Sequence, residues 1–286
     1  MALFKAFSKS IKSWNSVLKN YIVNVMKNIK IKEIESLPGK RLADNAKFSF
    51  RCLPELSCFN LCCRNLNLFL CPYDVIRLKN RLGLSSGQFL DKYVDVVLRP
   101  SNFFPDALLT MSDNDEKTCP FLSRSGCRVY SDRPDTCRFF PVERGALYDA
   151  KTKKTEIIRF FRPPDFCMGR HEDKKWSASE WAKDQDAVFY DDMTALWATV
   201  KRLFQNNPWK NGGPDGPDGR MAFMAAYNVD AFREFVFNSS FLKRFKVRGV
   251  ILKKIERNDT ELLKFGFEWI KLFLWGIETK SIVPKK

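Results

Sequence analysis

RCLPELSCFNLCCR, residues 51–64, sets four cysteines, Cys52, Cys58, Cys62 and Cys63, within twelve positions. Thiols this dense read as half of a metal site. The other half lies downstream, in CPFLSRSGCRVYSDRPDTCRFFP at 119–141, which carries Cys119, Cys127 and Cys137, and in FCMG, which carries Cys167. Pro120, Gly126 and Pro134 turn the chain between the later cysteines, so three distant thiols can meet. Cys71 stands apart, directly before Pro72, where it takes the capping position of a helix that a Ser or Thr would fill better.

How the thiols divide is left open by spacing alone. Five residues separate Cys52 from Cys58 and three separate Cys58 from Cys62, while Cys62 and Cys63 are adjacent. Neighbouring side chains point in different directions in helix or strand. Either one of this pair ligates while the other packs or reacts, or the two feed neighbouring metal sites. Counted with Cys167, the thiols suffice for two four-thiolate sites, or for one cluster with spares.

Compartment bears on the chemistry. Lys5, Lys9, Lys12 and Lys19 interrupt the first residues too often for a secretory signal. No run of about 18 uncharged apolar residues occurs, so the expected setting is the cytoplasm, with at most peripheral membrane association. In a reducing compartment clustered cysteines point to metal or catalysis rather than to disulfides, and nine is an odd count for pairing. His171 is the one histidine, in the polar stretch GRHEDKKW, and reads as solvated. Sites with two histidines are therefore excluded, and the donors favour zinc, copper(I) or an iron-sulfur cluster, a four-iron cluster included. Arg51, Arg64, Arg128 and Arg138 adjoin cysteines and Arg133 lies near Cys137, as expected if guanidinium groups offset the charge of about −2 on a four-thiolate centre. No glycine-rich phosphate loop, nucleophile elbow or histidine-based zinc protease motif is present.

The net charge of +16 sits at the ends, with +7 in residues 1–41, +7 in residues 240–286 and +2 between them. A basic groove across the core is thus disfavoured, which argues against nucleic acid. Besides a metal ion or cluster, the expected partners are an anionic membrane surface or a protein, met through the basic termini. Residues 1–40 read as a basic amphipathic helix, with Phe4, Phe7, Ile11, Trp14, Leu18, Tyr21 and Val25 spaced three and four apart. It either packs on its own domain or docks elsewhere. Residues 41–190 form the cysteine-cluster domain and 191–286 a helical C-terminal region.

Within these regions, Pro72 opens a helix that Gly83 ends. Ser85 with Gln88, and Ser177 with Glu180, make capping boxes. ALYDAKTKKTEIIRFF at 146–161 reads as two strands joined by a lysine-rich turn, and these are the persuasive strands. Tyr190–Phe204 is helical, NGGPDGPDG at 211–219 is a loop, and Asn258 or Asp259 caps a last helix. The class is α+β, mostly helical with a small antiparallel sheet or hairpin, organised around a cysteine metal centre.

The pieces FRC, SCFNLCCR, LCPYDVIRLKNRLGLSSGQFL, CPFL, GCRVYSDRPDTCRFFP and FCMG together resemble the YkgJ-type cysteine cluster family, also called CxxCxxCC, of zinc- or iron-chelating domains. The resemblance spans roughly residues 48–190. It implies a metal centre at Cys52, Cys58, Cys62, Cys63, Cys119, Cys127 and Cys137. Cys71 departs from the Thr expected there. More distantly, flagellin lysine-N-methylases share a similar cluster, which implies as an alternative an iron-sulfur methyltransferase acting from S-adenosylmethionine onto protein lysines.

Overall fold

A computed structural model describes residues 11–13, 27–29, 39–43, 45–99, 102–149, 154–209 and 212–285. The chain packs into two units, each assembled from separate stretches. One comprises Met1–Ser16, Pro72–Leu108 and Val200–Lys286, and the other Val17–Cys71 and Leu109–Thr199. Residues 72–108, inside the cysteine region by sequence, pack with the C-terminal helices because their apolar faces are filled from there. The class is α+β, as expected.

The first unit is helical. Pro72–Leu82 stops at Gly83, whose φ of +65° a side chain would disfavour. Ser85 caps Ser86–Tyr93 with the expected capping box. Asn258 caps Asp259–Trp275 by accepting from the Glu261 N–H, and left-handed Gly276 ends it. Phe232, Leu262, Leu263, Phe265 and Ile270 are among its buried side chains, each contributing about 1.5–3 kcal/mol on burial. A polar knot ties four helices. Lys79 Nζ reaches Asp259 at 2.9 Å and Asp230 at 3.3 Å, while the Ser86 hydroxyl donates to Asn228 Oδ1 at 2.7 Å.

Three expectations need correction here. Strands are not confined to the hairpin: Val94–Leu98 is extended and adjoins Asp106–Leu109, because VDVVL is rich in β-branched residues and its helix ends at Tyr93. Lys12–Ser13, within the expected N-terminal helix, pairs in parallel with Val97–Leu98 as a short strand. An available strand edge satisfies backbone groups that a helix would otherwise use. Phe4, Phe7, Trp14, Leu18, Tyr21 and Val25 of the apolar stripe lie outside the described residues. Finally, the loop at 211–219 is shorter than read, since Pro217 opens the helix Pro217–Tyr227 with Gly216 at its cap.

The second unit holds the cysteines. Val142–Asp149 and Lys154–Phe161 form the expected antiparallel pair, in register from Val142 opposite Phe161 to Asp149 opposite Lys154. Lys27–Ile29 adds to one edge in parallel and Lys40–Leu42 to the other antiparallel. Lys47–Ser49 pairs with Lys175–Ser177, and the Ser177–Glu180 capping box starts the helix Ala178–Asp184. Leu42, Phe48, Phe50, Val142, Cys167, Ala178 and Trp181 make the core beneath these strands. Trp181 meets the edges of Phe48 and Phe50 with centroids 6.3 and 5.4 Å away, and its N–H donates to the Phe139 carbonyl at 3.1 Å. Among the described residues no helix is long and apolar enough to cross a membrane.

Candidate metal centre

Residues 51–66 carry no long element, and short backbone bonds set their course. The Leu61 N–H donates to Cys58 O and the Cys63 N–H to Asn60 O, both at 3.0 Å, closing a turn of 3-10 helix over Leu61–Cys63. Asn60 enters it at φ 63°, a left-handed conformation that Asn tolerates better than most residues. Cys62 and Cys63 thus occupy successive positions of a tight turn, with the Cys62 thiol donating to the Cys63 sulfur.

From there two sets of cross-links lead to the remaining thiols. On one side Arg64 bridges to Thr118, and the Cys119 N–H donates to Cys63 O at 2.8 Å. The small hairpin of Leu122–Ser123 with Gly126–Cys127 places Leu122 opposite Cys127, so Cys119 and Cys127 return toward each other. Its turn depends on Gly126 at φ +111°. The helix Asp135–Phe139 then presents Cys137. On the other side the Arg51 N–H donates to Gly169 O at 3.0 Å, and the Met168 N–H donates to Cys58 Sγ at 3.2 Å. Cys52 and Cys58 therefore lie beside the Cys167 turn.

That approach requires glycine. A Cβ on Gly169 would stand 2.6 Å from Arg51 O and 3.0 Å from the Phe50 ring. Gly169→Ala is expected to force the two segments apart and to cost about 1–3 kcal/mol, the usual penalty of overpacking. Thermal unfolding would read it; an unchanged melting temperature would show that the turn yields freely.

Two cavities lie among these thiols. The larger, about 420 Å3, is lined by Cys52, Cys62, Cys63, Cys119, Cys127 and Cys137, with Phe50, Tyr130, Trp176 and Trp181 around them. The smaller, about 10 Å3, is lined by Cys52, Cys58, Cys62 and Cys167. Cys71 lines neither. It is buried, and its sulfur accepts from the Thr194 hydroxyl at 3.6 Å. His171 is exposed, as expected for a solvated side chain.

The protonation of the thiols follows from burial and crowding. Burial, with Cys167, Cys58 and Cys63 adding to it, raises Cys52 to about 11. Burial likewise raises Cys119 to about 12, although the Phe121 and Leu122 N–H groups donate to its sulfur. Cys127 and Cys167 are also raised, chiefly by burial, against N–H donation from Val129 to the first and from Gly169 and Arg170 to the second. Cys62 donates to Cys63, which lowers Cys63 with help from Arg64, while Cys62 is driven up. Apart from Cys63, the shifted thiols of this partly buried crowd resist ionisation until a cation replaces the protons.

The arginines divide by role. Arg64 acts on Cys63, Arg128 and Arg133 on Cys127, and Arg170 on Cys167. Arg138 departs from the expectation: it is buried and donates to the carbonyls of Arg133, Ser131 and Gln185. It fixes the chain around Cys137 instead of facing sulfur.

As donors these residues suit a thiophilic metal: eight free cysteines line the two cavities, several with backbone N–H groups aimed at sulfur. Neutral thiols have no reason to converge, and among the described residues no three Cys, His, Asp or Glu side chains already stand in an arrangement that holds an ion. Ligation takes rotation of side chains that the backbone has brought together. The aromatic wall and Gly169 were not read from sequence. Trp176 and Trp181 give no periodic signal, and the small residue in FCMG was the one available hint.

Residues 51–178 match the model of the CxxCxxCC family, described as a "Putative zinc- or iron-chelating domain". No curated protein and no solved structure matches the chain. The link to flagellin methylases finds no support in these comparisons.

Proposed function

We propose that this chain is a thiolate metalloprotein that binds zinc or iron through Cys52, Cys58, Cys62, Cys63, Cys119, Cys127, Cys137 and Cys167. One observation carries the reading. Residues far apart in sequence gather eight of the nine cysteines around two adjoining cavities, and the remaining one, Cys71, is packed elsewhere. A metal so held supplies a cross-link between loops that share little apolar core. The chain's own residues bring the sulfurs together, offset their charge with Arg64, Arg128, Arg133 and Arg170, and donate backbone N–H groups to them.

The test is metal and sulfide analysis with a visible spectrum on full-length protein purified without oxygen. Zinc in a colourless protein supports a closed structural centre; iron with sulfide in a brown one supports a cluster. Protein that retains neither metal and takes up neither on reconstitution overturns the reading.

A further inference from the structure

The eight cysteines do not surround one point. Cys58 and Cys167 line the smaller cavity alone, whereas Cys63, Cys119, Cys127 and Cys137 line the larger alone. Cys52 and Cys62 border both. Backbone bonds draw the same division independently. The 50s loop is fastened to the Cys167 turn through Arg51 to Gly169 and through Met168 to Cys58, while Cys63 is fastened to Cys119 and the hairpin carries the chain on to Cys127. The adjacent pair in the Leu61–Cys63 turn stands at the boundary between the groups.

Resting on the metal-binding reading above, we propose that the chain holds two separate metal positions, one on Cys52, Cys58, Cys62 and Cys167 and one on Cys63, Cys119, Cys127 and Cys137. Cys62 and Cys63 serve different ions. The Cys62 thiol donates to the Cys63 sulfur, so the pair stands where the two groups meet, and each sulfur turns to the ion on its own side. Assigning the two shared thiols to the smaller cavity gives four donors to each position, the number that thiophilic ions take in closed sites. The smaller position is snug and lies against Leu56 and Phe166; the larger opens beside Tyr130, Trp176 and Trp181. Each divalent ion with four thiolates carries about −2. Arg170 flanks the first group, and Arg64, Arg128 and Arg133 flank the second.

The probe is cobalt(II), titrated without oxygen into reduced, metal-free, full-length protein and followed by its thiolate charge-transfer and d–d absorption. Wild type is expected to take up two equivalents. Cys58→Ser/Cys167→Ser and Cys119→Ser/Cys127→Ser should each take up one. Adding Cys63→Ser to the first of these pairs should abolish the remaining equivalent, whereas adding Cys62→Ser should spare it. A single equivalent in wild type, or two equivalents lost together in either pair, overturns the division while leaving metal binding intact. No uptake at all by wild type overturns the metal reading itself. Cadmium-113 resonance of the loaded wild type needs no variant: two uncoupled tetrathiolate signals are expected, and one signal, or cadmium–cadmium coupling through a bridging sulfur, overturns the proposal.

Discussion

Replacing Arg144 by methionine is expected to destabilise the cysteine-bearing unit by about 3–5 kcal/mol, the scale of breaking a buried ion pair by removing one partner. Arg144 is buried on the strand Val142–Asp149, lies over the Phe139 ring 3.6 Å from its centroid, and pairs with both Asp135 and Asp191. Burial works against its charge, but the two carboxylates outweigh that and hold it firmly protonated. Without it, Asp135, which also accepts from the Thr194 hydroxyl at 2.9 Å, is left buried with an uncompensated charge. Asp135 begins the helix that presents Cys137, so the damage reaches the cysteine site. Thermal unfolding should show a melting temperature lower by roughly 6–20 °C, from about 2–4 °C per kcal/mol in chains of this size. The variant should also lose loaded metal faster to a chelator. A melting temperature within a degree or two of wild type would mean that the network is dispensable.

The second large effect belongs to the helical unit and is pH-dependent. Asp106 is buried; Lys201 pairs with one of its oxygens, and Arg99 and Asn102 donate to the other at 2.7 and 2.8 Å. Burial alone would raise this carboxyl, yet Lys201 and Arg99 together outweigh burial and hold it below the ordinary carboxylate range. A group with a depressed folded pKa contributes stability above its unfolded value, about 3.9, and loses it as pH falls through the lower folded value. Asp106→Asn is therefore expected to cost about 3–5 kcal/mol at neutral pH by stranding Lys201 and Arg99. The gap between variant and wild type should close as pH drops below about 4. Denaturant unfolding at pH 7 and at pH 3 measures both; a gap of equal size at the two values would refute the assignment.

Local chemistry was legible in the sequence wherever neighbours in the chain decide the outcome. The capping boxes at Ser85 and Ser177, the glycine stop at Gly83, and the long hairpin all depend on contacts within a few residues. The cysteine set was legible too, because thiol density is a property of composition. Its grouping was not. That grouping depends on Cys63 meeting Cys119 and Arg51 meeting Gly169, backbone bonds that no periodicity announces. Val94–Leu98 was missed because an apolar run following a capped helix is easily read as more helix, and β-strand preference yields to context. The Arg144 network was missed because its members are far apart in sequence and each looks like a surface charge.

The unit that holds the cysteines is built from two stretches, and in sequence Pro72–Leu108 of the other unit falls between them. During synthesis this imposes a delay. Cys52, Cys58, Cys62 and Cys63 emerge about a hundred residues before Cys167, or roughly 5–20 s earlier at ~5–20 residues per second. For that interval four reactive thiols wait on a nascent chain without their partners. Oxidants and stray copper compete for them until residue 167 has left the ribosome, so expression under oxygen or metal stress should harm this protein more than the same stress applied to the finished fold.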